Sequence, residues 1–163
     1  LSEIVSSLVA EVSLDLEPNE VPLFIGILNG SFLFAADFIR KYTHNCEVSF
    51  VKLSSYQGTE SLQVVNELIG INEDLTGRTV VILEDIIDTG STLHKIYDTF
   101  KNKNVKQLKI ATLFFKPDVY RKELPIDYIG KSIEDKFIVG YGLDYNGLGR
   151  NLPAVYQLTT EPN

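Results

Sequence analysis

The stretch VVILEDIIDTGST, from Val80 to Thr92, decides the fold. It begins with four apolar residues, of which three are β-branched, and passes through two acids and two isoleucines into a short polar loop. A short apolar run of this kind predicts a buried strand, and the loop after it is placed to open a helix. Because ligands of open α/β sheets bind beyond the carboxyl ends of the strands, this loop is a candidate binding site.

The loop from Asp88 to Thr92 has the chemistry of an anion site. Consecutive backbone N–H groups at a helix N-terminus bind anions, and the helix dipole assists them. Thr89, Ser91 and Thr92 add hydroxyl donors, while Gly90 permits close backbone approach or a positive φ. A P-loop would supply a lysine after its second glycine, and none stands here. The sequence therefore predicts a site for a terminal monophosphate rather than a nucleoside triphosphate.

Three carboxylates accompany this loop. Glu84 and Asp85 are predicted to end the strand side by side. Because neighbouring strand residues point to opposite faces, we do not expect them to form one paired-carboxylate site. Carboxylates near a bound phosphate accept hydrogen bonds from ribose hydroxyls or help to hold Mg²⁺. Asp88 is placed to face the base-bearing carbon of a sugar, and the alternative interpretation is a helix cap.

Strand and helix patterns alternate on both sides of this segment. Further strands are predicted at 23–28, 47–53 and 107–115, with shorter ones around Tyr128, Phe137 and Val155 and a strand or extended arm at 62–71. Helices are predicted at 1–12, 31–41 (with Ser31 as N-cap) and 92–103. This alternation predicts an α/β fold with a mainly parallel central sheet flanked by helices.

Length and composition limit the classes of function that this protein could have. The 163 residues predict a single domain, and because the sequence opens at Leu1 and contains no methionine, we expect a truncated N-terminus. The net charge of −7 argues against nucleic-acid binding, which depends on lysine and arginine. No apolar run is long enough to span a membrane. Cys46 is the single cysteine, which fits a reducing, cytoplasmic compartment.

Four motifs carry a family resemblance. EDIIDTGST, residues 84–92, resembles the phosphoribosyl-diphosphate-binding motif of type I phosphoribosyltransferases, and more narrowly that of hypoxanthine (guanine) phosphoribosyltransferases. LNGSF, residues 28–32, resembles the family's first loop, and Ser54-Ser55-Tyr56 resembles the start of its flexible active-site loop. DKFIVGYGLDYNGLGRNLP, residues 135–153, resembles the purine- and metal-binding region. The resemblance covers about 21–158 and implies a type I phosphoribosyltransferase fold with a small hood region.

The resemblance implies a role for each matching residue on the phosphoribosyl diphosphate (PRPP) side. Asp88 would be the general base that takes the proton from N7 of the purine. Glu84 and Asp85 would contact the ribose hydroxyls, directly or through Mg²⁺. The 5′-phosphate would lie in the loop of Thr89, Gly90, Ser91 and Thr92, and the pyrophosphate would contact Leu28, Asn29, Gly30 and Arg150.

On the purine side, the resemblance implies that Lys116 donates to the purine O6, that Phe137 stacks on the base and that the Ile138 backbone reads its edge. Asp144 would lie at the purine site and hold a Mg²⁺ bound to pyrophosphate. Each residue has a plainer interpretation. Lys116 would be a solvated cation, Phe137 a core residue, Asp144 a turn residue and Arg150 a surface residue.

The chain also departs from the family pattern. Asn29 and Ser91 stand where some relatives carry lysine, and the segment 58–66 lacks the Ser-Thr-Gly step of the lid that begins at Ser55 and Tyr56.

Two function classes follow from the resemblance. The first is an enzyme that converts hypoxanthine, and also guanine, into its nucleotide with release of pyrophosphate, as a homodimer or homotetramer. The second is a regulator with the same fold that senses PRPP or a nucleotide and binds nucleic acid. The acidic composition and the presence of Asp88 favour the enzyme.

Overall fold

A six-stranded sheet forms the centre of the protein. The computed structural model describes residues 1–54 and 66–159. The strands are Leu23–Ile27 (β1), Glu47–Ser54 (β2), Asn66–Ile69 (β3), Thr79–Ile87 (β4), Gln107–Phe115 (β5) and Tyr128–Ser132 (β6), in the order β3-β2-β1-β4-β5-β6. The five strands from β2 to β6 in this order are parallel, and β3 pairs antiparallel with β2. The predicted α/β fold with a mainly parallel sheet is confirmed.

Helices cover both faces of the sheet. Helices α1 (Ser2–Asp15) and α2 (Phe32–Lys41) pack on one face, and α3 (Ser91–Lys101) packs on the other. The alternation of strand side chains explains the two cores, because Phe24 belongs to the cluster beneath α1 and α2 while Ile25 belongs to the cluster beneath α3. The apolar runs of the central strands are therefore buried on both faces, as parallel sheets require.

A small hood stands over the carboxyl edge of the sheet. Its two short strands, Ile138–Val139 (β7) and Tyr156–Gln157 (β8), pair antiparallel. The Tyr141 hydroxyl donates to Asp37 on α2 at 2.6 Å. Gly142 lies so close to the Gly30 carbonyl that a Cβ there would overlap it. These two contacts fix the hood against α2 and against the loop that follows β1.

Two local details differ from the sequence predictions. β4 runs to Ile87 rather than ending at Asp85, because it keeps pairing with β5 as far as the Ile87–Phe115 pair. Ser31 does hold the N-cap position of α2, but its hydroxyl donates to the Ile27 carbonyl at 2.7 Å instead of capping the helix.

Two further predictions concern the lid and the membrane. The predicted lid residues Ser55 and Tyr56 lie outside the described residues. Within the described part of the chain, no helix combines the length and apolar character needed to cross a membrane.

Candidate active site

The carboxyl ends of three neighbouring strands meet at one cavity of about 320 Å³. β1 leads into Leu28, β4 into Asp88 and β5 into Lys116, and the hood closes the far side. Most of the predicted site residues line this cavity: Leu28, Gly30, Glu84, Asp85, Asp88, Thr92, Lys116, Phe137, Ile138, Asp144 and Arg150. The cavity also has an apolar lining that the sequence did not predict, made by Ile27, Ile86 and Leu143.

The loop between β4 and α3 forms an adjoining cup of about 160 Å³. Its lining includes Thr89, Gly90 and Ser91, and it shares Asp88 and Thr92 with the larger cavity. Gly90 is the N-cap of α3 and has a φ of 77°, a conformation that strains any residue with a Cβ. The first N–H groups of α3 lack intrahelical acceptors, so the cup presents donors and the positive end of a helix dipole. Its geometry suits a phosphate monoester.

The first loop, after β1, lies directly against the Asp85 carboxylate. A Cβ at Gly30 would overlap that carboxylate, so only glycine permits this approach. The Leu28–Asn29 peptide bond is cis. Asn29 does not line the cavity, whereas Leu28 and Gly30 do.

Lys116 is buried, with 6% of its surface exposed, so its interpretation as a solvated cation is wrong. Its Nζ atom lies 2.8 Å from Asp88 Oδ1 and 3.2 Å from Asp135 Oδ1. Burial alone would lower the pKa of Lys116, but the hydrogen bonds and charges of the two carboxylates raise it above the ordinary value. The site therefore holds a permanent cation in contact with the predicted general base.

Glu84 and Asp85 are both buried and both line the larger cavity, although strand alternation directs neighbouring side chains to opposite faces. The hood and the first loop enclose the edge of the sheet, and residues from either face of β4 therefore reach the same space. Burial, and then the charge of Asp85, raise the pKa of Glu84 well above its usual range. Burial raises the pKa of Asp85 to about 6, against the opposing effect of the Asp85 and Ile86 backbone N–H groups and the Arg150 charge.

This burial predicts that the Asp85→Asn variant of the free protein is more stable than the wild type at pH 7.5. The pKa of Asp85 is raised on folding, from 3.8 to about 6. Its contribution to stability is therefore full below pH 3.8 and is lost as the pH rises through about 6. We expect a gain of about 2 to 3 kcal/mol in the free energy of unfolding at pH 7.5 and a much smaller difference at pH 4.

Urea unfolding with a chelator present measures this gain. Asp98→Asn is the matched control, because Asp98 lies half-exposed on α3 and pairs only with His94 among the described residues. Loss of stability in Asp85→Asn at pH 7.5 would contradict the account.

Asp144 and Arg150 form an ion pair on the hood side of the cavity. Arg150 Nη2 lies 2.6 Å from Asp144 Oδ1, and Arg150 Nη1 donates to the Gly142 carbonyl at 2.6 Å. The Gly147 N–H donates to the other Asp144 oxygen at 2.7 Å, so Asp144 is a turn residue as well as a cavity residue. Arg150 faces the cavity, and its interpretation as a surface residue is wrong.

Phe137 is not a core residue, because 52% of its surface is exposed. Its ring meets Tyr145 edge to face with the centroids 5.6 Å apart, and it forms part of the cavity wall. Ile138 is half-buried beside it in β7. An exposed aromatic next to a cavity is suited to stack on a flat ligand.

The carboxylates present fit a hydrated magnesium ion. Among residues 1–54 and 66–159, no group of three or more His, Cys, Asp or Glu side chains could hold a metal by itself. Mg²⁺ does not require such a cage, since it keeps several waters and commonly binds one or two carboxylates together with substrate phosphates. Glu84 Oε2 is buried without a hydrogen-bond partner and so has bonding capacity left for a cation or a ribose hydroxyl.

Together, the open sheet, the cup at its carboxyl edge and the neighbouring cavity define an α/β protein with an anion-type cup beside a second cavity that has an exposed aromatic side chain in its wall. The family model described as Phosphoribosyl transferase domain matches residues 1–146. A hypoxanthine-guanine phosphoribosyltransferase of Staphylococcus epidermidis is 41% identical over 138 residues, which are 84% of this chain and 77% of that protein. A hypoxanthine-guanine phosphoribosyltransferase of Streptococcus pneumoniae is 42% identical over 141 residues, which are 86% of this chain and 78% of that protein.

Solved structures show the same relationship. A hypoxanthine-guanine phosphoribosyltransferase of Bacillus anthracis superposes with a TM-score of 0.89 at 40% identity, covering 97% of this chain and 93% of that one. A hypoxanthine phosphoribosyltransferase of Trypanosoma cruzi, complexed with its product IMP, superposes with a TM-score of 0.88 at 28% identity. The superposition covers 97% of this chain and 85% of that one. The chain belongs to the phosphoribosyltransferase family and, within it, to the hypoxanthine-guanine phosphoribosyltransferases. The relatives carry an enzyme's name, and they lend no support to the regulator.

Proposed function

We propose that this chain transfers the 5-phosphoribosyl group of PRPP to hypoxanthine, and to guanine, giving IMP or GMP and pyrophosphate. The contact of 2.8 Å between Lys116 and Asp88 carries the proposal, because it joins the proposed purine site to the phosphate cup. The names of the relatives support the same reaction. The resemblance further supports a homodimer or homotetramer and a cytoplasmic location.

The 5′-phosphate of PRPP would lie in the cup of residues 89–92. Backbone N–H groups at the start of α3 would donate to its oxygens, and the nearby hydroxyls of Thr89 and Ser91, 3.2 Å apart, would add further donors. The pyrophosphate would extend towards Leu28, Asn29, Gly30 and Arg150. Arg150 would then exchange its contact with Asp144 for one with the leaving pyrophosphate.

The purine would lie between Phe137 and Lys116. The Phe137 ring offers an apolar face for stacking, and Lys116 would donate to O6. Asp88 would accept the proton of N7 as N9 bonds to C1 of the sugar and the bond from C1 to pyrophosphate breaks. Loss of the N7 proton keeps the purine from becoming positively charged in the transition state. The positive charge that develops on the ribose ring would face the carboxylates of Glu84 and Asp85.

A magnesium ion would be held by Asp144 on the pyrophosphate side, and Glu84 and Asp85 would contact the ribose hydroxyls directly or through Mg²⁺. When bound, it supplies positive charge that orients and neutralises the diphosphate. The carboxylates themselves would position the sugar, since Asp85 is fixed between the Gly30 backbone and the backbone N–H groups of Asp85 and Ile86.

Turnover is the direct test. The protein with Mg²⁺ and PRPP is expected to form IMP from hypoxanthine and GMP from guanine, each with one equivalent of pyrophosphate. A competition among hypoxanthine, guanine and xanthine in one reaction ranks the bases. Absence of product from both hypoxanthine and guanine, with PRPP binding intact, would refute the enzyme and return the regulator to consideration.

A further inference from the structure

Asp135 is the second carboxylate in contact with the buried Lys116. It lies in the connection between β6 and β7, 19 residues from Lys116, and their contact is 3.2 Å. The Lys116 side chain is 7% exposed, whereas that of Asp135 is 58% exposed. Among the described residues, the charged groups in contact with Lys116 are Asp88 from the β4 loop and Asp135 from the hood. Asp135 lines neither the cavity nor the phosphate cup.

An ammonium group has three N–H donors. In Lys116, one donates to Asp135, the Asp88 carboxylate lies 2.8 Å from Nζ as an ion-pair partner, and Lys116 also lines the cavity where the purine would lie. One donor is therefore left for the purine O6. The two carboxylates together restrict the position of Nζ more than either would alone.

The charge balance of this triad changes during the reaction. One ammonium and two carboxylates leave a net charge of minus one before the chemical step. When the purine N7–H bond breaks and an O–H bond forms on Asp88, that carboxylate becomes neutral. Asp135 is then the remaining anion beside a buried cation, and without it the ammonium would be buried and unpaired, which is strongly unfavourable.

We propose that Asp135 is a positioning residue: it remains the counter-ion of Lys116 when Asp88 takes the purine proton, and it thereby keeps the Lys116 ammonium directed at the base. The inference rests on the proposed phosphoribosyl transfer and adds a residue to it. Asp135 acts through Lys116 and does not touch the reacting atoms.

The Asp135→Asn variant tests the role in a single turnover, with enzyme in excess over hypoxanthine and saturating Mg²⁺ and PRPP. This design keeps nucleotide release from masking the chemical step. We expect the rate to fall about tenfold, with the dissociation constant for PRPP unchanged. Asp135→Glu should recover most of the rate, because it restores the carboxylate. Glu134→Gln is the matched control, since Glu134 is the adjacent acid and its side chain is 80% exposed.

The Lys116→Met background supplies the decisive comparison. If Asp135 acts through Lys116, Asp135→Asn should have little further effect in that background. A wild-type single-turnover rate in Asp135→Asn would overturn the inference. So would an equal fall in that rate when Asp135→Asn is introduced into the wild type and into Lys116→Met. A rate loss that accompanies lower thermal stability and is not rescued by glutamate would assign a structural role and overturn it too. Failure of the wild type to turn over would instead refute the proposed function, so the two failures are distinguishable.

Discussion

Asp88→Asn is expected to slow nucleotide formation by about 10³-fold while leaving PRPP affinity nearly unchanged. Asparagine keeps the size of the side chain but does not accept the purine proton. Asp88 lies at the edge of the phosphate cup, but the donors of the cup are backbone N–H groups and hydroxyls, which the substitution leaves in place. Single-turnover rates and equilibrium binding of PRPP measure the two quantities separately.

Asp98→Asn is the control for this substitution. The Asp98 side chain is 55% exposed and that of Asp88 is 52% exposed, so the two changes remove equal charge at similar exposure. Asp98 lies on the outer part of α3 and should leave the rate unchanged. Equal losses of rate and PRPP affinity in Asp88→Asn would contradict the role of general base.

Lys116→Met is expected to reduce kcat/KM for hypoxanthine by about 100-fold, because a charged hydrogen bond to the base is lost in the bound state and in the transition state. The loss should be seen partly in KM for the purine and partly in kcat, because Lys116 also faces Asp88 as that carboxylate takes the proton. PRPP affinity should remain, since Lys116 does not line the phosphate cup. Initial-rate kinetics with each substrate varied in turn separate these effects.

The matched control for Lys116→Met is Lys136→Met. Lys136 lies in the same connection between β6 and β7 as Asp135, but its side chain is 52% exposed. Its ion-pair partner is Glu134, at 3.9 Å. The control variant should behave as the wild type. A Lys116→Met variant that binds the purine normally and loses PRPP instead would reverse the assignment of the two halves of the site.

The features that the sequence predicted well are local ones. The strand, glycine and hydroxyl pattern of residues 79–92 is contiguous, so β4, the cup and the start of α3 follow from periodicity and helix-terminus chemistry. The alternation of apolar strands with helices likewise predicted the parallel sheet.

The features that the sequence did not predict depend on contacts between distant segments. Lys116 contacts Asp135, which lies 19 residues further along the chain, and nothing within a few residues of Lys116 indicates that contact. Glu84 and Asp85 share one cavity because Gly30 and the hood enclose the edge of the sheet. Strand alternation alone predicts opposite faces and gives no information on what covers them. The purine roles came from family resemblance, and the cavity now places those residues together.

A crystal structure of the protein with IMP tests the central claim most directly. The account predicts the phosphate of IMP in the cup of residues 89–92, hydrogen-bonded to backbone N–H groups at the start of α3. It also predicts the base between Phe137 and Lys116, with Nζ of Lys116 within hydrogen-bond distance of O6 and Asp88 beside N7. A phosphate bound away from the cup, or a base without contact to Lys116, would contradict it.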